Sequence, residues 1–203
     1  MIPISQSVRD VYAEGRRYFM GEGKLNDALS RLVNDLRDHE IDYMVIGALA
    51  LLAYGYARFT EDIDVILTPK GLERFHRELV GLGYVPAFEG ARKRLRSTQD
   101  GIPIELIATG DYPGDGKPKP ITFPHPSENS VEIDGVKFPT LEKLIELKLA
   151  SGMTAPDRLK DLADVQELIK IRGLTAEFGD KLNPYVREKY LELLYAVRRA
   201  NNK

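Results

Sequence analysis

The stretch Ile46-Gly47-Ala48-Leu49-Ala50-Leu51-Leu52-Ala53-Tyr54-Gly55-Tyr56-Ala57-Arg58-Phe59-Thr60-Glu61-Asp62-Ile63-Asp64-Val65 decides the reading of this chain. It predicts the end of a strand at Gly47, a short apolar helix from Ala48 to Tyr54 closed by Gly55, and a second strand from Ile63 to Leu67. Side chains two apart on a strand share a face, so Asp62 and Asp64 point one way while Ile63 and Val65 point into the core. Two carboxylates at ~4 Å repel by about 4 kcal/mol at an effective dielectric of about 20. A cation between them relieves that cost, and hard oxygen donors without His or Cys favour Mg²⁺. Upstream, Gly47 permits close backbone approach, and the helix that follows offers free N–H groups to an anion. A phosphate cradle and a metal site therefore lie within one short segment. Glu105, in Ile102-Pro103-Ile104-Glu105-Leu106-Ile107, supplies a third carboxylate on a candidate neighbouring strand. Three carboxylates are the donor set of two-metal phosphoryl and nucleotidyl transfer.

Working outward, Leu25, Ala28, Leu29, Leu32, Val33 and Leu36 recur at helical spacing, and Ile41 to Ile46 reads as a strand. Thr68-Pro69 ends the second strand; a helix is expected over Leu72 to Leu82, stopped by Gly83. Arg92 to Ser97 and Ile102 to Ala108 read as strands around Gln99-Asp100-Gly101. Gly110 to Pro126 is crowded with proline and glycine and reads as a long loop. Val131 to Phe138 reads as a hairpin turning at Asp134-Gly135. Beyond Pro139 the pattern is helical, with Thr140 capping a helix through Ala150 and Asp157 one through Ile171. Asn183-Pro184 opens a last helix through Arg199. A helix over Val8 to Phe19, or an extended arm, is the reading of the first residues. The expected fold is α/β, a small mixed sheet flanked by helices with a C-terminal helical region. The expected division is a core over 1–139 and a helical tail over 140–203.

Composition narrows the function. The chain has 203 residues, 29 Lys and Arg against 31 Asp and Glu, and no Cys. This excludes a disulfide scaffold, a thiolate metal site and a Cys nucleophile, and argues against a globally basic nucleic-acid binder. The longest apolar run, Met44 to Tyr54, falls far short of the roughly 20 residues of a membrane span. No signal-peptide pattern opens the sequence, so the expectation is a cytoplasmic protein without membrane contact.

Gly47-Ala48 followed by Arg58-x-Thr60-x-Asp62-x-Asp64 resembles the signature of the polymerase-β-like nucleotidyltransferase superfamily. Lys148 in Leu147-Lys148-Leu149-Ala150-Ser151-Gly152, with Lys160-Asp161-Leu162-Ala163-Asp164, is similar to motifs of the AbiEii-type and minimal nucleotidyltransferase toxins. The resemblance spans roughly residues 30–170. It implies an enzyme moving a nucleoside monophosphate from a nucleoside triphosphate to an acceptor hydroxyl. It implies Mg²⁺ or Mn²⁺ on Asp62, Asp64 and Glu105, and nucleotide on Gly47, Ala48, Arg58, Thr60 and Lys148. Lys148 would meet the triphosphate, and Asp161 would orient that lysine or assist the acceptor. It further implies the toxin of a toxin–antitoxin pair, with an antitoxin protein as partner. Ala48 departs from the Gly or Ser usual at its position, which removes a hydroxyl while leaving a backbone N–H.

Other readings of the same residues stay open. Thr60 can equally fix the turn before Asp62. Lys148, inside an apolar helix face, either needs a partner or snorkels to the surface. Asp161 and Asp164 share a helix face and can pair with Arg158 or Lys160. The basic run Arg92-Lys93-Arg94-x-Arg96, with Arg92, Arg94 and Arg96 on one strand face and Lys93 on the other, forms either a phosphate-contacting patch or a solvated edge strand. His39, His76 and His125 lack metal-site spacing and read as surface residues. The acceptor (tRNA, another RNA, a protein or a small molecule) is not legible, and a catalytically degenerate nucleotide-binding or interaction module is the alternative.

Overall fold

The computed structural model describes residues 23–201, and the helix or arm expected over Val8 to Phe19 lies outside them. Helix α1 (Lys24–Asp38) buries the six apolar residues that its spacing singles out. It leads into β1 (Tyr43–Val45), α2 (Gly47–Ala53) and β2 (Ile63–Leu67). Helix α3 spans Pro69–Glu78 rather than Leu72 to Leu82. Thr68 does more than end a strand: its hydroxyl accepts the Gly71 N–H at 2.9 Å, and Pro69 supplies a preset first helical residue. The helix also ends early, and Gly81 (φ 92°) and Gly83 (φ 142°) turn the chain into a strand that the sequence pattern missed, β3 (Tyr84–Pro86). Three residues ending in Pro carry little periodic signal, and β3 exists because it pairs with its neighbour at the sheet edge.

Strands β4 (Arg94–Ser97) and β5 (Pro103–Ala108) complete a five-stranded mixed sheet, ordered β1-β2-β5-β4-β3. Among the described strands only β2 and β5 pair in parallel, and their register sets Asp64 opposite Glu105. A separate hairpin, β6 (Ser130–Ile133) and β7 (Val136–Pro139), turns at Asp134 (φ 49°) and Gly135 (φ 75°), the two left-handed residues that a type I′ turn requires.

The remaining elements are helical. Helix α4 (Leu141–Thr154) starts where Thr140 accepts the Lys143 N–H and runs one turn past Ala150. It is buried continuously from Leu144 to Gly152, so it forms the axis of the C-terminal region. Asp157 does not cap the next helix. Pro156–Arg158 form a 3₁₀ turn, and α5 (Leu159–Arg172) follows without a side-chain cap. A second 3₁₀ turn, Glu177–Lys181, precedes α6 (Pro184–Asn201), where Asn183 Oδ1 accepts the Tyr185 N–H at 3.0 Å. One hydrophobic core gathers Leu32, Leu51, Ile63, Leu149, Val165 and Tyr190, and so draws on the sheet, α1 and the helical tail together. The opposite sheet face holds a smaller cluster of Met44, Ile46 and Ile66, covered by Phe123 of the Gly110 to Pro126 stretch. That stretch forms no helix or strand, as expected. Among the described residues no helix is long and apolar enough to cross a membrane.

Candidate active site

The site is built where β1 hands over to α2. Ile46 N–H donates to the Asp64 carbonyl at 2.9 Å, which ties the turn to β2. Gly47 takes φ 69°, and a Cβ there would stand 2.1 Å from Asp64 Oδ2. The glycine is therefore demanded twice, by its backbone angle and by the carboxylate lying against it. Ala48 is buried at 4% exposure and lends no side chain to the cleft beyond, so only its backbone is left for a phosphate.

Asp64 and Glu105 stand side by side across the parallel strands, each flanked by buried apolar residues. Burial, then the neighbouring charges of Asp62 and Glu105, push the Asp64 carboxyl up to about 7, against the pull of Lys148 and Arg158. Asp62 is exposed, and its Oδ1 accepts a hydrogen bond from the Thr60 hydroxyl. Thr60 thus fixes the approach to the acid pair. Neither Asp62 nor Thr60 lines the cleft. Among the described residues, no three His, Cys, Asp or Glu side chains are gathered closely enough to hold a metal ion.

Opposite the acids, α4 and α5 form a buried charge cluster. Lys148 Nζ donates to Asp161 Oδ1 at 2.9 Å and to Asp164 Oδ2 at 2.7 Å. The Ser151 hydroxyl donates to the other Asp161 oxygen at 2.7 Å. Arg58 Nε lies 3.3 Å from Asp164 Oδ1 and links the α2–β2 connection to α5. Burial alone would raise the Asp161 pKa; Lys148 and Ser151 more than offset it, and the group sits below the ordinary carboxylate value. Lys148 is 6% exposed and does not snorkel. The aspartates pair with it rather than with Lys160.

Between these two groups lies a cleft of about 260 Å³. Gly47, Arg58, Asp64, Glu105, Lys148 and Asp161, all expected at the site, line it. Lys93, of the basic run Arg92-Lys93-Arg94-x-Arg96, lines it too, whereas sequence reasoning missed Ser151, Arg158 and the loop residues Asp111, Tyr112 and Pro113 as lining residues. Ser151, one turn after Lys148 in a buried helix, was the one with a legible signal. The loop is a fixed wall. Gly110 N–H donates to Phe123 O and Phe123 N–H to Asp111 O, each at 2.9 Å. Lys119 Nζ donates to Pro113 O and Asp115 at 2.5 Å and to Thr154 Oγ1 at 3.2 Å. Arg94 and Arg96 are exposed on β4 and stand outside the cleft lining, and His39, His76 and His125 are held by backbone or Ser127 contacts.

No protein-family model matches the chain, and no curated protein matches it. Its fold nevertheless resembles those of solved nucleotidyltransferases. ANT(2″)-Ia, solved in complex with adenylyl-2″-tobramycin, superposes with a TM-score of 0.52 at 14% identity, covering 88% of this chain and 99% of that one. An antigenic nucleotidyltransferase-like protein from Paracoccidioides brasiliensis aligns at 15% identity over 71% of this chain and 75% of its own, TM-score 0.45. JHP933 from Helicobacter pylori aligns at 18% identity over 85% and 88%, TM-score 0.45.

Proposed function

We propose that this protein is a metal-dependent nucleotidyltransferase that moves a nucleoside monophosphate from a nucleoside triphosphate to an acceptor hydroxyl. The observation that carries the reading is the Asp64–Glu105 pair, set in register across β2 and β5 against the Gly47 turn, at the floor of a cleft with cations on its far wall. Two adjacent carboxylates, with Asp64 raised by burial and then by the charges of Asp62 and Glu105, are a donor set suited to a hard divalent cation, and Asp62 lies two residues away. Asp64 and Glu105 would hold Mg²⁺ or Mn²⁺, and the exposed Asp62 carboxylate would complete the set by turning towards them from its Thr60 contact; the ion would supply positive charge against that developing at the α-phosphate. The Gly47 turn and the Ala48 N–H receive phosphate oxygens, and Arg58 adds charge beside them. The acceptor hydroxyl attacks the α-phosphorus in line; its O–P bond forms as the bond to the β-phosphate oxygen breaks, and pyrophosphate leaves. Glu105 takes the hydroxyl proton.

The test is pyrophosphate release and nucleotide-dependent thermal stabilisation with each of ATP, CTP, GTP and UTP, with and without Mg²⁺. A ligand at ~100 times its Kd stabilises by about 2.7 kcal/mol, a readable shift. Wild type should respond, and Asp62→Asn/Asp64→Asn should not; equal behaviour of the two sinks the mechanism. RNA (tRNA included), a protein and a polyhydroxylated small molecule are the acceptors to try. The adenylylated tobramycin bound by ANT(2″)-Ia is a reason to include the last. The AbiEii-like motif around Lys148, Asp161 and Asp164 supports a toxin held by an antitoxin, for which growth arrest on expression is the check.

Ala48, without a hydroxyl, and Lys148, already bound to two carboxylates, favour a second reading, a nucleotide-binding module without transfer. It predicts Mg²⁺-dependent nucleotide binding with no pyrophosphate released under any acceptor.

A further inference from the structure

The resemblance assigns the triphosphate to Lys148, yet Lys148 is the cation on the cleft wall least able to leave its partners. Two of its three donors are spent on Asp161 and Asp164, and Arg58 lies against the second oxygen of Asp164. Two cations and two carboxylates close the charge of this cluster. Lys148, Asp161 and Asp164 are all under 8% exposed, so drawing Lys148 towards an arriving polyanion would leave two buried carboxylates poorly compensated. Lys93, across the cleft, is engaged by Asp111 at 2.5 Å.

Arg158 and Lys160 differ. They flank Leu159 where the 3₁₀ turn meets α5, both line the cleft, and both are exposed. Among the described residues neither forms an ion pair with a carboxylate. Arg158 shares the cleft lining with Asp64 and Asp161, close enough for its charge to act on both. A guanidinium presents a planar fork of donors suited to phosphate oxygens, and an exposed side chain turns towards an anion without unpairing anything.

We infer that Arg158 and Lys160, rather than Lys148, hold the β- and γ-phosphates of the nucleoside triphosphate, and that Lys148 is a positioning residue fixing α4 to α5 behind them. This rests on the nucleotidyl-transfer reading and names the phosphate-binding residues within it.

Calorimetry on the full chain with Mg²⁺ tests it, using the four nucleoside triphosphates, their monophosphates and inorganic tripolyphosphate. Arg158→Gln/Lys160→Gln is expected to bind triphosphates and tripolyphosphate about tenfold or more weakly. Its affinity for monophosphates, and its melting temperature without ligand, should stay at the wild-type values. Lys148→Arg, which keeps the charge in the cluster, should hold tripolyphosphate close to wild type. Wild-type affinity of the double variant for triphosphates overturns the inference alone, as does a collapse of tripolyphosphate binding in Lys148→Arg with an unchanged melting temperature. No binding of any nucleotide or of tripolyphosphate by wild type overturns both the inference and the reading beneath it.

Discussion

Asp64 is crowded from three sides, by the Gly47 turn, by Asp62 and by Glu105. Its folded-state pKa of about 7 has a consequence for stability. The unfolded chain releases this proton near pH 4, whereas the folded chain keeps it until about pH 7. Between those values the folded state binds more protons, so this group's contribution falls as pH rises from about 4 to about 7 and stays lost above. The slope is at most about 1.4 kcal/mol per pH unit. Asp64→Asn carries no such charge and should gain on wild type in melting temperature between pH 5 and pH 8; parallel curves would refute this. Gly47→Ala is the complementary change. A Cβ 2.1 Å from Asp64 Oδ2, on a residue at φ 69°, must displace either the carboxylate or the turn. A loss of about 1–3 kcal/mol is expected by urea denaturation, together with loss of nucleotide-dependent stabilisation.

At the scale of elements, α4 and α5 are joined more by charge than a reading of either helix suggests. Removing Lys148 leaves Asp161 and Asp164 buried without their main counter-charge, so Lys148→Met should cost about 3–5 kcal/mol in equilibrium unfolding. Adding Asp161→Asn and Asp164→Asn to that variant should restore part of the loss, because the cost is the unpaired charge rather than missing packing. The proline-rich loop is a second element defined by a lysine. Lys119, its side chain 4% exposed, ties the loop to itself and to Thr154 of α4, next to Gly114, where an added Cβ would meet Thr154 and Ser151. In Lys119→Met, amide exchange over Asp111 to Lys117 should accelerate while that of α1 is unchanged. Equal acceleration of both would show a global rather than a local role.

At the scale of the molecule, the shared core matters most. Leu144, Leu149 and Val165 of the helical tail belong to the same hydrophobic cluster as Leu32 of α1 and Ile63 of β2. The division expected near Pro139 therefore runs through packed apolar contacts, and the two parts should unfold together. Far-ultraviolet and near-ultraviolet circular dichroism are expected to report one coincident transition in urea; separated midpoints would refute it. Arg58 to Asp164 adds a polar tie across the same boundary.

The amino-acid sequence by itself determined the elements with strong periodicity or strong punctuation. The spacing of α1, the Asp134-Gly135 turn, the Thr140 cap, the Pro184 helix start and the apolar–acidic alternation of β2 and β5 are local properties, carried by neighbours within a few residues. Asp62, Asp64 and Glu105 were each legible as acids alternating with apolar residues, but that Asp64 stands opposite Glu105 while Asp62 lies outside the cleft lining depends on how β2 and β5 pair. Tertiary structure decided what depends on distant partners. β3 is a strand because β4 offers it an edge, and Asp157 is not a cap because Pro156 starts a 3₁₀ turn on the end of α4. Lys148 is buried because Asp161, Asp164 and Ser151 surround it, and the cleft wall closes because Lys119 and Gly114 seat a loop on a helix far along the chain. Burying a charge is favourable only when its counter-charges arrive in the same place, and that convergence is a property of the folded chain rather than of any segment of it.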